Sequence, residues 1–170
     1  LFPWMYRFGV LYTPNQDEAL MQRAKKAAKQ LDIDLFTEPV FSQDQIQEKL
    51  ELLFQKQINL LWATPDQKVY SRKALRFILL SLNRYKVPFM GLSSSYLKLG
   101  AFFSLDPEPR SIGVDAATLA KHIIENKKRA GKIPIQYPSQ FNYSVNQKIA
   151  NQFRFKIPAE TVEQAQEVYK

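Results

Sequence analysis

The residues of this chain that are best suited to chemistry lie in three short polar turns, each of which follows an apolar run. The turns read "TPNQ" at residues 13–16, "TPDQ" at 64–67 and "SSS" at 93–95. Hydroxyl, amide and carboxylate groups hold a polar ligand through hydrogen bonds. Because no nucleophile in these turns has a base beside it in the sequence, the pattern indicates binding and argues against an enzyme.

The other candidates for catalysis or metal binding are weaker. His122 is the single histidine, and an imidazole without a neighbouring carboxylate or second ligand matches neither a catalytic triad nor a metal site. Asp106 and Glu108 occur in "LDPEP", where the prolines favour a surface turn with solvated side chains over acid–base catalysis. No cysteine and only five glycines are present, which excludes thiolate chemistry and a glycine-rich phosphate loop. We therefore expect no catalytic residue, no metal site and no cofactor.

The composition is that of an ordinary globular domain. The chain has 170 residues, 45% of them apolar and 24% charged, and its formal net charge is +8. One domain is the default at this length. The basic residues are scattered, and a group at 127–132 lies at the C-terminal end of a predicted helix, where cations favour the macrodipole. A solvated basic face is therefore preferred over an acidic partner, which stays open, and we expect no nucleic-acid partner.

Strands and helices that alternate from residue 7 to residue 95 position the three turns. We predict strands at residues 7–13, 34–41, 58–64 and 87–93, and helices around 16–30, 46–54 and 75–82. Pro39 directs the second strand to an edge of the sheet. Such alternation indicates a parallel sheet with right-handed crossovers. The turns then lie at carboxyl ends of strands, the edge at which open α/β sheets bind ligands.

The alternation loosens beyond residue 95. We expect a short strand at 100–106, a long helix at 111–129 and an extended segment at 133–146, in which two prolines disfavour a central strand. Two short helices, at 147–153 and 159–170, complete the chain. The predicted organisation is one α/β domain, residues 1–170. Its parts are a core βα lobe (7–95), a crossover segment with the long helix (96–130), and a C-terminal extended segment with short helices (131–170).

Five segments in this order are similar to the second lobe of a known family. They are "RFGVLYTPNQDEALMQRAKKAAKQLDIDL", "INLLWATPDQKVYSRKAL", "VPFMGLSSSYLKLGAFFSLD", "SIGVDAATLAKHIIENKKRAGKIPIQY" and "SVNQKIANQFRFKIPAE". Over about residues 7–165 they resemble ABC transporter substrate-binding proteins of the type I periplasmic-binding-protein fold, in particular the branch with tryptophan- and aromatic-amino-acid-binding lipoproteins. The chain departs from the family at Asp32-Ile33 and at Arg154 or Phe155, where the family has glycine at a helix end.

The resemblance implies a fold, a function and a site. The fold is a three-layer αβα lobe with a mainly parallel sheet, and the function is solute binding for an ABC import system, by closure of two lobes over a small polar ligand such as an amino acid. It also implies a periplasmic or membrane-anchored extracytoplasmic location and contact with a transporter permease. The ligand-binding positions it implies are Thr13, Asn15, Gln16, Thr64, Asp66, Gln67, Ser93, Ser94 and Ser95.

Two roles are expected at this site. Asp66 would pair with a ligand amine, and the backbone N–H groups of residues 15–17 would meet a ligand carboxylate at a helix N-terminus.

In the family, a complete N-terminal lobe precedes the first strand of this segment. Without such a lobe, the helix at 111–129 would expose an apolar stripe, and exposed apolar patches favour association. We therefore expect a homodimer through this helix. A regulatory or sensory interaction module that is derived from the lobe and has lost solute binding is the alternative function.

Overall fold

The structure is a computed structural model that describes residue 2, residues 4–14 and residues 18–170. In this part of the chain, seven strands form one sheet with the order β2-β1-β3-β4-β5-β6-β7. The strands are β1 (Arg7–Tyr12), β2 (Asp34–Pro39), β3 (Leu60–Trp62), β4 (Phe89–Gly91), β5 (Phe103–Pro107), β6 (Phe141–Asn146) and β7 (Glu167–Tyr169). The helices are α1 (Glu18–Gln30), α2 (Ile46–Gln55), α3 (Arg72–Tyr85), α4 (Ser95–Leu99), α5 (Pro109–Glu125), α6 (Gln147–Phe153) and α7 (Ala159–Glu163).

The sheet is mainly parallel and is covered on both faces, which confirms the predicted three-layer α/β fold. Only β6 runs antiparallel to its neighbour β5 among the paired strands described. Alternate residues of β1 point to opposite faces. Leu11 packs in a cluster with residues of α2 and α3, whereas Val10 and Tyr12 pack against Met21 of α1. The second strand lies at the sheet edge, as Pro39 predicted.

The prediction for residues 159–170 is wrong in its second half. A single helix was expected, but α7 ends at Glu163 and residues Glu167–Tyr169 form β7, which pairs with β6 in parallel. Val168 packs into the apolar cluster that contains Phe102 and Val145. Tertiary pairing of a β-branched residue overrides a weak helical pattern here.

The two helix ends where the chain departs from the resembled family adopt a left-handed backbone. Asp32 has φ 52° and Arg154 has φ 61°, a conformation that glycine takes freely and other residues take at a cost of roughly 1–2 kcal/mol. At both positions the backbone therefore has the left-handed conformation that glycine favours, although the residue itself is not glycine.

The long helix is shorter than predicted and begins earlier. The Glu108 carboxylate caps α5 by accepting hydrogen bonds from the N–H groups of Arg110 and Ser111. The interpretation of Glu108 as a solvated turn residue is therefore wrong.

Three apolar residues of α5, Ile112, Val114 and Ile124, are exposed. The homodimer through this helix stays a prediction, as does the three-part division of the domain. No helix in the described part has the length and apolarity required to cross a bilayer.

Candidate ligand-binding rim

The carboxyl ends of β1, β3, β4 and β5 lie side by side at one edge of the sheet. These strands are parallel neighbours, with Gly9 opposite Leu61, Trp62 opposite Met90, and Met90 opposite Phe103. The three polar turns and the end of β5 therefore share this edge. We call residues 13–14, 64–67, 93–95 and Asp106 the rim.

Asp66 joins the first two turns of the rim. Its Oδ2 accepts a hydrogen bond of 2.8 Å from the backbone N–H of Thr13, and its Oδ1 accepts bonds of 2.9 and 3.2 Å from the N–H groups of Lys68 and Val69. The residue is 1% exposed. One carboxylate thus fixes the loop after β1 against the loop after β3, 53 residues further along the chain.

These contacts also keep the carboxylate ionised. Burial by itself would raise the pKa of Asp66, but the hydrogen bonding of Thr13, Val69 and Lys68 outweighs it, so that the pKa lies below the ordinary value of 3.8. Hydrogen bonds to the charged form of an acid favour that form. At neutral pH the rim therefore contains a buried negative charge that is held by backbone dipoles.

Two threonine hydroxyls at the rim are buried without a hydrogen-bond partner among the residues that the structure describes. Thr64 is 1% exposed, and its Oγ1 accepts and donates nothing there. The Thr13 hydroxyl interacts with the Asp66 carboxylate and so helps to lower the pKa of Asp66, but its Oγ1 forms no well-directed hydrogen bond in the described part. A buried hydroxyl normally has a partner, and leaving it without one costs about 1–3 kcal/mol.

A second group of rim residues is held by Asp106. Its Oδ1 accepts a hydrogen bond of 3.3 Å from the N–H of Ser94, and its Oδ2 accepts one of 3.1 Å from Ser104 Oγ. Ser93 Oγ and Ser95 Oγ are 2.7 Å apart. Asp106 is half-buried, so its interpretation as a solvated surface residue is wrong. Its position at the end of the predicted strand "GAFFSLD" was the signal that could have identified it.

Two tyrosines flank the rim, one on β1 and one on α4. Tyr12 ends β1 and is buried, and its pKa is raised because burial and the nearby carboxylates of Glu18 and Glu38 disfavour the phenolate. Gly91 ends β4, where a Cβ would lie 2.4 Å from the Cβ of Tyr96. Only glycine therefore allows α4 to approach the strand this closely.

The structure places the sequence-predicted residues in two groups along this edge. Thr13, Thr64 and Asp66 form the first group, with Gln67 exposed beside them. Ser93 and Ser94 are half-buried in the second group, and Ser95 is exposed. Asn15 and Gln16 lie outside the described residues.

The comparison with protein families agrees with this architecture. A model of the family described as ABC transporter substrate binding protein matches residues 1–169. The chain belongs to this family. No curated protein matches the chain significantly.

Solved structures share the fold of this ABC transporter substrate-binding family member. One is a conserved domain protein from Vibrio cholerae O1 biovar El Tor, with 25% identity and a TM-score of 0.72. The match covers 98% of this chain and 56% of that protein. A second is an ABC domain from Streptococcus pneumonia in complex with L-Trp, with 18% identity and a TM-score of 0.71, covering 99% and 56%.

A third neighbour is the ligand-free, open structure of a substrate-binding protein with adhesive properties from Clostridium difficile, with 16% identity and a TM-score of 0.71, covering 99% of this chain and 56% of the other. This family member therefore spans a little over half the length of the solved structures that it resembles.

Proposed function

We propose that the chain is a lobe of the solute-binding component of an ABC import system, and that it binds a small polar ligand, such as an amino acid, at the rim. The observation that carries this proposal is the buried Thr64 hydroxyl, which lies at a strand end without a partner in the described part. A ligand with polar groups would supply that partner. The family to which the chain belongs supports solute binding.

The proposed roles of the rim residues follow from their exposure and existing bonds. Thr13, Thr64 and Ser93–Ser95 offer hydroxyls, and Gln67 offers an exposed amide. Asp66 is assigned a supporting role, because its carboxylate already accepts three backbone hydrogen bonds. Asp106, half-buried and bonded to two donors, is the better carboxylate for a ligand amine. Contacts from Asn15 and Gln16 remain part of the proposal.

In this proposal no bond is made or broken, and the ligand is held when a second lobe closes over the rim. An extracytoplasmic location, in the periplasm or at a membrane anchor, and contact with a permease belong to the same proposal. So does a homodimer through α5. A regulatory module that has lost solute binding is less favoured, because such a module has no need for buried hydroxyls without partners at the rim.

A thermal-shift screen with the twenty common amino acids tests the proposal. A ligand at 100 times its dissociation constant adds about 2.7 kcal/mol to the free energy of unfolding. We expect one class of amino acid to raise the melting temperature, and Thr64→Val to weaken its binding by about fivefold, because a typical net hydrogen bond contributes about 1 kcal/mol. Thr118→Val on exposed α5 is the matched control and should bind as the unchanged protein does. Equal binding by both variants would refute the role of Thr64.

A further inference from the structure

A second concave site lies away from the rim, between α3, the end of α4 and α6. The cavity has a volume of about 480 Å³, and its apolar walls come from Leu75, Leu79, Leu82, Phe89, Ile149 and Phe153. This is within the range of roughly 300–1,000 Å³ that small-molecule pockets occupy. We call it the α3–α6 groove.

The groove is open to solvent, and some of the large apolar side chains that line it are exposed. Leu82 and Phe89 are buried and form its inner wall, whereas Leu80 and Leu99, which also line it, are 63% and 57% exposed. An apolar guest would remove both leucines from water. Burial of apolar surface contributes about 25 cal/mol per Å², so the groove favours a long apolar group over a small polar one.

The groove carries positive charge that the structure does not neutralise. Arg72 and Arg76 line it, and the ion pairs among the described residues involve other cations. In addition, α3 contains four basic residues, α4 one and α6 one, and none of these helices contains an acidic residue. The electrostatic complement of these walls is an anion.

The two arginines that line the groove lie at one end of it. Arg72 and Arg76 belong to the first two turns of α3, and the last turn holds Asn83, whose Oδ1 accepts a hydrogen bond of 2.6 Å from Gln152 Nε2 of α6. At 1.5 Å per residue, Arg72 and Asn83 are about 16 Å apart along the helix. The groove is therefore elongated, and it is lined by two arginines at one end and by the amides of Asn83 and Gln152 at the other.

We propose that the α3–α6 groove binds a single-chain anionic amphiphile, a free fatty acid. Its carboxylate pairs with Arg72 and Arg76, since guanidinium groups bind carboxylates through two parallel hydrogen bonds. Its alkyl chain lies along the leucines towards Asn83. A second copy of the chain fits this surface less well, because it brings the same uncompensated cations. The proposal concerns a site other than the rim and does not depend on solute binding there.

Isothermal titration calorimetry with laurate, below its micelle concentration, tests the proposal on the full chain. We expect saturable one-to-one binding, and at least fivefold weaker binding of 1-dodecanol, which has the chain without the charge. The double variant R72Q/R76Q should also bind laurate at least fivefold more weakly. The matched control is K73Q/R84Q, which removes two cations of α3 that do not line the groove and should bind within twofold of the unchanged protein. All four substituted residues are exposed, so folding should be preserved, which circular dichroism checks.

Three results would overturn the proposal. The first is absence of saturable laurate binding, and the second is an equal loss in both double variants, which would indicate general surface charge. The third is binding to anionic phosphatidylglycerol vesicles, measured by cosedimentation, without binding of free laurate; that result would assign the surface to a membrane. Sedimentation velocity adds a further arm, since a dimer that R72Q/R76Q dissociates would identify a second copy as the occupant.

Discussion

Replacing Asp66 with asparagine should loosen the connection between the first two turns of the rim. The carboxylate accepts three backbone hydrogen bonds, one at Oδ2 and two at Oδ1. An asparagine amide has one acceptor oxygen and an NH₂ group, so at least one of the three N–H groups would face a donor. If the amide keeps the two bonds at the Oδ1 position, the bond to Thr13 is the one that is lost.

The magnitude follows from these contacts. A hydrogen bond to a charged group contributes about 1.5–3 kcal/mol, and a buried donor without a partner costs about 1–3 kcal/mol. These two contributions overlap in part, because both describe the same lost contact, and they cannot simply be added. We therefore expect D66N to lower the free energy of unfolding by about 2–4 kcal/mol. For a domain of this size, roughly 2–4 °C of melting temperature correspond to each kcal/mol. The melting temperature should therefore fall by roughly 4–16 °C.

Urea unfolding and amide hydrogen exchange measure this effect. The exchange of the Thr13 amide should accelerate more than that of the Lys68 and Val69 amides, because the Thr13 bond is the one expected to break. Asp44→Asn is the matched control, since Asp44 is exposed and its replacement should change stability by less than about 0.5 kcal/mol. The reasoning is refuted if D66N and D44N unfold at the same urea concentration.

Three further predictions concern acid stability, close packing and capping. The stability that Asp66 contributes is present above the unfolded pKa, near 3.8, and is lost as the pH falls through the lower folded pKa; the urea midpoint should fall less between pH 5 and pH 3 in D66N than in the unchanged protein. Gly91→Ala should cost about 1–3 kcal/mol because its Cβ would meet Tyr96 at 2.4 Å, whereas Gly113→Ala, with no atom within 4 Å, should stabilise α5 by about 0.5–1 kcal/mol; equal melting temperatures would contradict this. Asn146→Ala should cost about 2–3 kcal/mol, measured by thermal unfolding, because the buried amide donates to the Leu97 carbonyl and caps α6 through the Ile149 N–H; an unchanged transition would disprove it.

The order of strands and helices from β1 to β4 was predictable, because the apolar runs of the central strands β1, β3 and β4 are largely buried between the helices that cover the parallel sheet. Strand lengths were less so: the runs at 58–64 and 87–93 predicted seven residues each, but β3 and β4 contain three. A run of apolar residues indicates that a segment is buried, whereas a strand also requires hydrogen bonds between its backbone and that of a neighbouring strand. The β-strand at Glu167–Tyr169 was missed because its partner β6 lies more than 20 residues earlier in the sequence.

The rim was predictable as an edge but not as a set of contacts. Polar turns after parallel strands must share one edge of the sheet, and the structure places residues 64–67 and 93–95 there. That Asp66 supports the Thr13 loop depends on β1 and β3 being neighbours, which no local pattern contains. The role of Asp106 depends on the loop before α4, because the Asp106 carboxylate accepts a hydrogen bond from the Ser94 N–H of that loop. A helix of five residues has too few positions to show a periodic pattern.

The central claim is that the rim, and not another surface, receives the polar ligand. Two-dimensional ¹H–¹⁵N NMR tests it directly, by titration with the amino acid that gives the largest shift in melting temperature. We expect the largest changes at the amides of Thr13, Thr64, Ser94 and Asp106, and none above noise along α3 and α6. Changes confined to the α3–α6 groove or to α5, with the rim amides unmoved, would contradict the account.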